Sequence, residues 1–531
     1  MFRSGWFFLF LLFASCSTSS NESANRPAKE PAHSLRISFN TTPSTLDPRK
    51  SGDFVSSTLI SLLYEGLSRC LPDGSAEPAI AQTVSISKDK KTYTFHLRPA
   101  FWSDGSPLTA YDFEASWKKI LDPSFSAVCA SLLYPIKNAE KCAKGEIPLS
   151  EAGIRALDAA TFQVELERPT PYFFSLTAFP LFFPVPLDKN PSHLDGKELI
   201  CSGPYKIETC VLNSEWVLKK NSRYWNPQIS DFDAVHISII GDENTALELF
   251  EQGQLDWLGG PFSPLPPDAL ETLSQNRPLQ FLPSAASTFC TFNTQTFPFE
   301  NKNLRKAFSL AIDRKELVEQ VLPPGQLPAY RCFPPTLFGD RDKKHYSFDP
   351  GQAQEHLLQA IEEMGLSKNE LSHLTLYYKP LKTDERLAQA LQKQWRETLG
   401  ITVQLQSLDF KTHIQTLQGR NYQIALASWI AQFSDPINLL DRFKEKRNPK
   451  NYPGWEDSHF VDLLERAALA LKPEERMNLL ERAESFFADQ TAISPLFHWN
   501  SPYLKSDRIR EIATSPGGGI LLERFQKQRS E

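Results

Sequence analysis

The sequence predicts an α/β protein of more than one lobe. Segments that alternate apolar and polar residues at period two interleave with segments of helical period along the chain, as layers of sheet and helix require. The chain has 531 residues, 41% hydrophobic and 23% charged, ordinary globular values at a length beyond what a single hydrophobic core holds. Proline outnumbers glycine 40 to 23, which favours rigid turns over flexible linkers between the elements. A net charge of −6 with no run of Lys and Arg argues against nucleic acid as a partner.

The N-terminus reads as a targeting segment rather than part of the fold. Arg3 supplies a small positive region. Residues 6–13 are apolar throughout but fall well short of the roughly 20 needed to cross a bilayer. Phe13-Ala14-Ser15-Cys16 resembles a bacterial lipoprotein cleavage box, with Phe13 where Leu is usual. Ala14 and Ser15 also suit an ordinary signal peptidase. The expectation is a signal peptide over 1–15, lipidation at Cys16, and a disordered, Ser-, Asn-, Glu- and Pro-rich tether over 16–32. Such an anchor holds a protein on a membrane surface without spanning it.

Elements follow in order. Residues 34–40 alternate as a strand, 45–48 form a turn, and 56–66 a short helix whose end places Gly66 as C-cap. Residues 93–98 read as a strand. Ser103-Asp104-Gly105-Ser106-Pro107 is a turn, after which Thr109 stands where a helix N-cap belongs and Asp112 three residues later as its capping-box partner. Phe113 and Trp117, at i, i+4, face one core. Residues 127–145 read as a helix and 161–166 as a strand. The Phe- and Pro-dense stretch 169–186 reads as core packing between turns. Residues 216–219 are strand-like, and 246–253 a helix followed by a strand at Leu255-Asp256. Leu304, Phe308, Ala311 and Ile312 recur at helical spacing, with Asp313 and Arg314 near the end of that helix and read as ion-pairing residues. Residues 349–364 and 387–398 are amphipathic helices, 374–378 and 402–408 strands, and 460–488 a helical pair broken near Pro473.

Setting Cys16 aside, seven of the 8 cysteines remain, and an odd number leaves a thiol over in an oxidising compartment. Cys201 and Cys210 flank Gly203-Pro204-Tyr205, and a bridge between them stands beside the alternative that each is a small buried side chain.

Several strings carry a resemblance. They are Tyr93-Thr94-Phe95-His96-Leu97-Arg98 with Trp102-Ser103-Asp104-Gly105-Ser106-Pro107-Leu108-Thr109-Ala110-Tyr111-Asp112-Phe113-Glu114-Ala115-Ser116-Trp117; Tyr64-Glu65-Gly66-Leu67; Ser202-Gly203-Pro204-Tyr205 through Tyr224-Trp225; and Phe292-Asn293-Thr294 with Leu304-Arg305-Lys306-Ala307-Phe308. Together they resemble extracytoplasmic solute-binding proteins of family 5, the oligopeptide-permease type, and the resemblance covers essentially all of the mature chain. It implies a periplasmic-binding-protein type fold, two α/β lobes joined by a hinge with an additional inserted domain. Lobe I would take 33–78, 200–288 and 500–531, the inserted domain 79–199, and the third lobe 289–499. The implied function is a monomeric peptide-binding receptor in the periplasm, lipid-anchored to a bacterial membrane, that closes on an oligopeptide and delivers it to the transmembrane subunits of an ABC permease.

In that family a loop after a strand of the third lobe carries a Trp and then a carboxylate for the peptide amine. Here the segment is Ser428-Trp429-Ile430-Ala431-Gln432-Phe433-Ser434-Asp435-Pro436. Trp429 holds the Trp position, Ser428 and Ile430 flank it, and Gln432 stands where Asp is usual. Gln432 accepts a hydrogen bond but brings no charge, and a charged hydrogen bond is about twice as strong. Asp435 has two readings that do not exclude each other, a cap for the helix beginning at Pro436 and a substitute partner for the amine. Asp53 and Phe54 lie on the matching loop of the first lobe, and Phe497 and Trp499 where relatives have an aromatic cluster. His498 reads as a hydrogen-bonded structural residue. Backbone pairing with an extended peptide needs no particular side chain. Trp429→Ala is expected to weaken binding with the fold near intact.

Enzyme signatures are missing from the sequence. It has no Gly-x-Ser-x-Gly, no His-Glu-x-x-His and no Gly-rich phosphate loop, and its 10 His are scattered. No catalytic residue, cofactor or metal is assigned. Two alternatives stand beside the peptide reading: the same fold binding another solute, such as a cell-wall muropeptide, and an exported lipoprotein or hydrolase without a transport role.

Overall fold

A computed structural model describes residues 33–187, 199–276, 279–338, 341, 343–470, 472–515 and 517–528. The signal segment, the tether and Cys16 lie outside these residues.

Three sheets organise the chain. The first is four-stranded, in the order Ser34–Phe39, Ala234–Ile239, Glu215–Lys220, Tyr205–Val211. Its first pair is parallel and the rest antiparallel. Remote parts of the chain meet at Asp256, whose carboxylate is completely buried. Arg36 donates to it at 2.9 Å, Arg508 at 2.9 Å and the Ser506 hydroxyl at 3.0 Å. A buried carboxylate is tolerable only when paired and hydrogen-bonded in this way.

The second sheet is antiparallel, in the order Ala81–Ile86, Thr92–Leu97, Thr161–Glu165, Ile154–Asp158. Helix Ala110–Ile120 packs on it. The capping box at Thr109 and Asp112 forms, with the Thr109 backbone N–H donating to the carboxylate at 2.8 Å. Trp117 meets Phe162 and Phe182 edge to face, both at 5.0 Å, and its indole donates to the Phe182 carbonyl at 2.9 Å. The Phe-rich stretch is therefore core. The first two sheets share one continuous hydrophobic cluster that includes Leu35, Phe39, Phe95, Trp117 and Trp216.

The third sheet runs Trp257–Gly259, Ile493–Lys505, Gln280–Phe292, Ile424–Ile430, Thr375–Tyr378, Gln404–Ser407. Helix Lys382–Leu399 connects its last two strands, which are parallel, a βαβ unit. Two antiparallel strands of 13 residues, Gln280–Phe292 and Ile493–Lys505, run through its middle. The breaks expected at 288/289 and 499/500 fall inside these strands, where pairing is irregular at Pro283/Ser287 and Thr288/Phe289. Alternation sends neighbouring side chains to opposite faces. Phe289 joins a cluster with Trp429, Phe443 and Phe487, while Cys290 and Phe292 join one with Phe308 and Trp395.

Three expectations are corrected, and of the two readings of Cys201 and Cys210 the unbridged one holds. Residues 127–145 are not one helix: a 3-10 turn at Ala130–Leu133 and a short helix at Ala139–Ala143 are separated by Pro135, which has no N–H to continue a helical ladder, and by Asn138, whose backbone is left-handed at φ 63°. Gly66 is no C-cap, because helix Phe54–Leu63 already ends in extended backbone at Tyr64. Gly66 instead permits a close approach, since a Cβ there would lie 2.7 Å from the Phe183 ring and the Thr177 carbonyl. Helix Lys302–Leu310 stops before Asp313, which caps a separate turn, and Arg314 pairs with no carboxylate but donates to the Pro495 carbonyl at 2.6 Å and the Ser494 hydroxyl at 2.8 Å. No disulfide joins Cys201 to Cys210. The extended strand Tyr205–Val211 carries Cys210 away to a position opposite Trp216.

Candidate functional site

Strand Ile424–Ile430 sets the candidate loop. It pairs with Gln280–Phe292 so that Ser428 lies opposite Thr288, Trp429 opposite Ser287 and Ile430 opposite Ala286. Trp429 is 4% exposed. Its ring packs on Phe289 at 4.1 Å, Phe443 at 5.1 Å and Tyr452 at 6.0 Å, with the Arg442 guanidinium at 5.3 Å. The Tyr452 hydroxyl interacts with the indole N–H without reaching hydrogen-bond geometry. Trp429 is thus part of a buried aromatic cluster with Phe289, Phe443 and Tyr452, and its ring contributes to packing there.

Ser428 heads a short relay. Its hydroxyl meets that of Thr288 at 2.9 Å, and the Trp499 indole donates to the same Thr288 oxygen at 2.9 Å. Phe497, buried, lies between Thr288 and Pro328 on neighbouring strands. His498, also buried, bonds through Nδ1 to the Ser287 hydroxyl at 2.7 Å, while its Nε2 has no partner. Burial lowers its pKa to about 3, with help from the nearby Arg331 charge, so His498 is neutral at ordinary pH.

Beyond the strand, the loop faces the segment 79–199. The Gln432 side-chain amide donates to the Cys129 sulfur at 3.6 Å, and its backbone N–H to Asn438 Oδ1 at 3.2 Å. Phe433 stacks on Tyr172, 5.1 Å between centroids and 11° between planes. Lys90 reaches the Ala470 carbonyl at 3.1 Å. Asp435 is fully engaged. Arg476 grips it through two bonds, of 2.8 and 2.9 Å, and the Ile437 N–H donates to it at 2.9 Å ahead of helix Ile437–Leu440.

Asp53 caps helix Phe54–Leu63. Its carboxylate accepts from the Ser56 N–H at 2.7 Å and from the Ser44 and Ser56 hydroxyls at 2.6 and 2.8 Å. Phe54 is 37% exposed. Residues 128 and 129 each touch one of the candidate loops. A Cβ on Gly52 would lie 3.1 Å from Val128, and Cys129 is the partner of Gln432. Asp53 and Phe54 connect to the loop after Trp429 only indirectly, by way of 128–129, whereas Trp499 connects to Ser428 through Thr288, which pairs with Phe497.

Two cations near the loop, Arg442 and Lys450, form no salt bridge among the described residues. Arg442 donates to the Ile430 and Asn438 carbonyls, each at 3.3 Å, and burial lowers its pKa to about 10. Lys450 reaches solvent, but crowding of its ammonium and the Arg442 charge lower its pKa. Sequence reasoning missed Cys129, Tyr172, Thr288, Asn438, Arg442 and Arg476. Arg442 alone had a local signal, as a cation set with Asp441 between apolar Leu439-Leu440 and Phe443. Among the described residues no group of three or more His, Cys, Asp or Glu is placed to hold a metal, and no helix is long and apolar enough to cross a membrane.

The mixed α/β fold is of the solute-binding-protein type. The model of the bacterial extracellular solute-binding proteins, family 5 Middle, matches residues 75–451. The chain belongs to this family, whose members are substrate-binding proteins rather than enzymes. It is 34% identical to the oligopeptide-binding protein OppA of Bacillus subtilis (strain 168), over 96% of this chain and 95% of that one. It superposes with a TM-score of 0.81 on the unliganded open form of the periplasmic murein tripeptide binding protein MppA, at 25% identity and covering 93% and 97% of the two chains. Against Haemophilus influenzae OppA in complex with RPPGFSPFR the TM-score is 0.73, at 26% identity and 93% and 99% coverage.

Proposed function

We propose that this protein is the extracytoplasmic receptor of an ABC importer, capturing oligopeptides and delivering them to the transmembrane permease subunits. The observation that carries this reading is likeness along nearly the full length to an oligopeptide-binding protein, together with a strand and loop at residues 424–436 that keep the Trp while Gln432 replaces the usual Asp. The ligand lies in an extended conformation between the first and third lobes, held mainly through its backbone near Ser428, Ile430 and Gln432. Asp53 and Phe54 border it from the first lobe. Asp435 acts as a cap held by Arg476. Trp429, Phe497 and Trp499 back the site.

The lobes divide as 33–78 with 200–288 and 500–531, 79–199, and 289–499, and the strands Gln280–Phe292 and Ile493–Lys505 carry the hinge. Their irregular pairing and their passage across both breaks support this. The protein works as a monomer in the periplasm, tethered by a lipid on Cys16, and performs no catalysis.

Native mass spectrometry of protein lacking residues 1–16, purified without unfolding, tests the proposal. Bound masses that fragment as peptides are expected. An unliganded protein that takes up no added peptide would overturn it. Gln432 and the match to MppA favour one second reading, a murein peptide as ligand. A single bound mass carrying diaminopimelate in place of a mixture would establish that reading instead.

A further inference from the structure

Five arginines are buried among the described residues. Arg69 and Arg331 pair with glutamates. Arg305 and Arg314 have no carboxylate, but every guanidinium nitrogen of each is bonded to a carbonyl or a hydroxyl. Arg442 differs. Its two bonds are long, both 3.3 Å, and Nη1 has no acceptor among the described residues. Lys450 stands close enough for the two cations to disfavour one another, and it too forms no salt bridge among the described residues. A buried guanidinium with an unbonded donor, beside an exposed ammonium and with no counterion among the described residues, is unfavourable unless something anionic arrives.

Their position suggests what arrives. Arg442 covers Trp429 and grips the carbonyl of Ile430, two residues before Gln432. Cys129, the partner of Gln432, also lies within reach of the Lys450 charge. The usual Asp would have neutralised part of this patch, and Gln432 does not. A guanidinium with free donors suits a carboxylate, which can accept two parallel bonds from it.

We propose that Arg442 and Lys450 receive a carboxylate of the bound peptide at the Gln432 end of the site, so that the receptor selects anionic ligands there. This rests on the peptide-receptor reading. The carboxylate has two sources, the peptide C-terminus or an acidic side chain.

Titration calorimetry on the mature protein tests it with four probes: pentaalanine as free acid, its C-terminal amide, and Ala-Ala-Asp-Ala-Ala and Ala-Ala-Asn-Ala-Ala, both amidated. A preference of tenfold or more for acid over amide assigns the C-terminus, and the same preference for Asp over Asn assigns a side chain. Arg442→Gln should bring the preferred ratio close to one, and Lys450→Gln should lower it severalfold. Lys450 is exposed and forms no salt bridge among the described residues, so its variant folds even if the Arg442 variant does not. Binding of all four probes with equal affinity, or a preference unchanged in both variants, overturns the anionic selection alone. No binding of any peptide overturns the receptor reading as well.

Discussion

Arg476 grips Asp435 through two parallel hydrogen bonds, 2.8 Å from Nη1 to Oδ2 and 2.9 Å from Nη2 to Oδ1, with both side chains largely withdrawn from solvent. The pair ties helix Pro473–Gln490 to the loop that follows Trp429. Removing one partner leaves the other charge stranded, at a cost of about 1–3 kcal/mol. Arg476→Met and Asp435→Asn should each lower the urea midpoint, and the double variant should recover part of the sum. If Asp435→Asn leaves stability unchanged and instead lowers affinity for peptides with a free amine, Asp435 serves the ligand rather than the loop.

Trp429 tests whether a site residue and a core residue can be told apart. Its ring is enclosed by Phe289, Phe443 and Tyr452, so Trp429→Ala should cost about 3–5 kcal/mol in unfolding free energy. Trp429→Phe should cost about 1–2 kcal/mol and keep the fold. Peptide affinity is therefore best compared in the Phe variant. An Ala variant with wild-type stability would show that the ring is not part of the core.

Much of the fold was legible in the sequence because its signals are local. The Thr109 and Asp112 capping box lies within four residues, and Phe113 and Trp117 declare their shared face by spacing alone. Pro473 splits the last helical pair where a proline at a first helical turn should. The helix expected at 127–145 ignored Pro135, and Gly66 was read from backbone freedom when its reason is the Phe183 ring pressed against it from 117 residues away in sequence. The site was legible only in part for the same reason. Trp429 and Gln432 stand in a recognisable string, but the partners that decide their roles come from 303 residues away in Cys129, or 41 in the Arg476 that holds Asp435. No periodicity reports a contact of that kind.

Gln432→Asp would place a carboxylate beside Cys129, within reach of the Lys450 charge. A charged acceptor strengthens a bond to an ammonium about twofold over a neutral one, so the ratio of affinities for pentaalanine and N-acetyl-pentaalanine should rise. The gain is held back in the single variant, because Lys450 shares the new charge. In Gln432→Asp with Lys450→Gln it should reach about tenfold, which corresponds to about 1.4 kcal/mol. Calorimetry on the three proteins reads the ratio directly. The same ratio in all of them would remove position 432 from amine recognition.

His498 gives the protein a predictable response to acid. Folded, its pKa is depressed to about 3 by burial; unfolded, it returns to about 6.5. Between those values the unfolded chain binds a proton that the folded chain refuses, so stability rises with pH across this window. The contribution is complete above pH 6.5 and is lost progressively towards pH 3, by roughly 1 kcal/mol for each unit. His345 and His413 are also shifted downward by burial, so the wild-type slope alone does not isolate His498. The comparison is with His498→Asn, which keeps a polar group near Ser287 and cannot titrate. Chemical denaturation at pH 4, 5, 6 and 7 should give a shallower acid limb in the variant, by up to one proton's worth of slope, and curves that run parallel above pH 7. Equal slopes below pH 6 would mean that His498 takes up its proton in the folded state, and that the space beside its unpartnered Nε2 admits water.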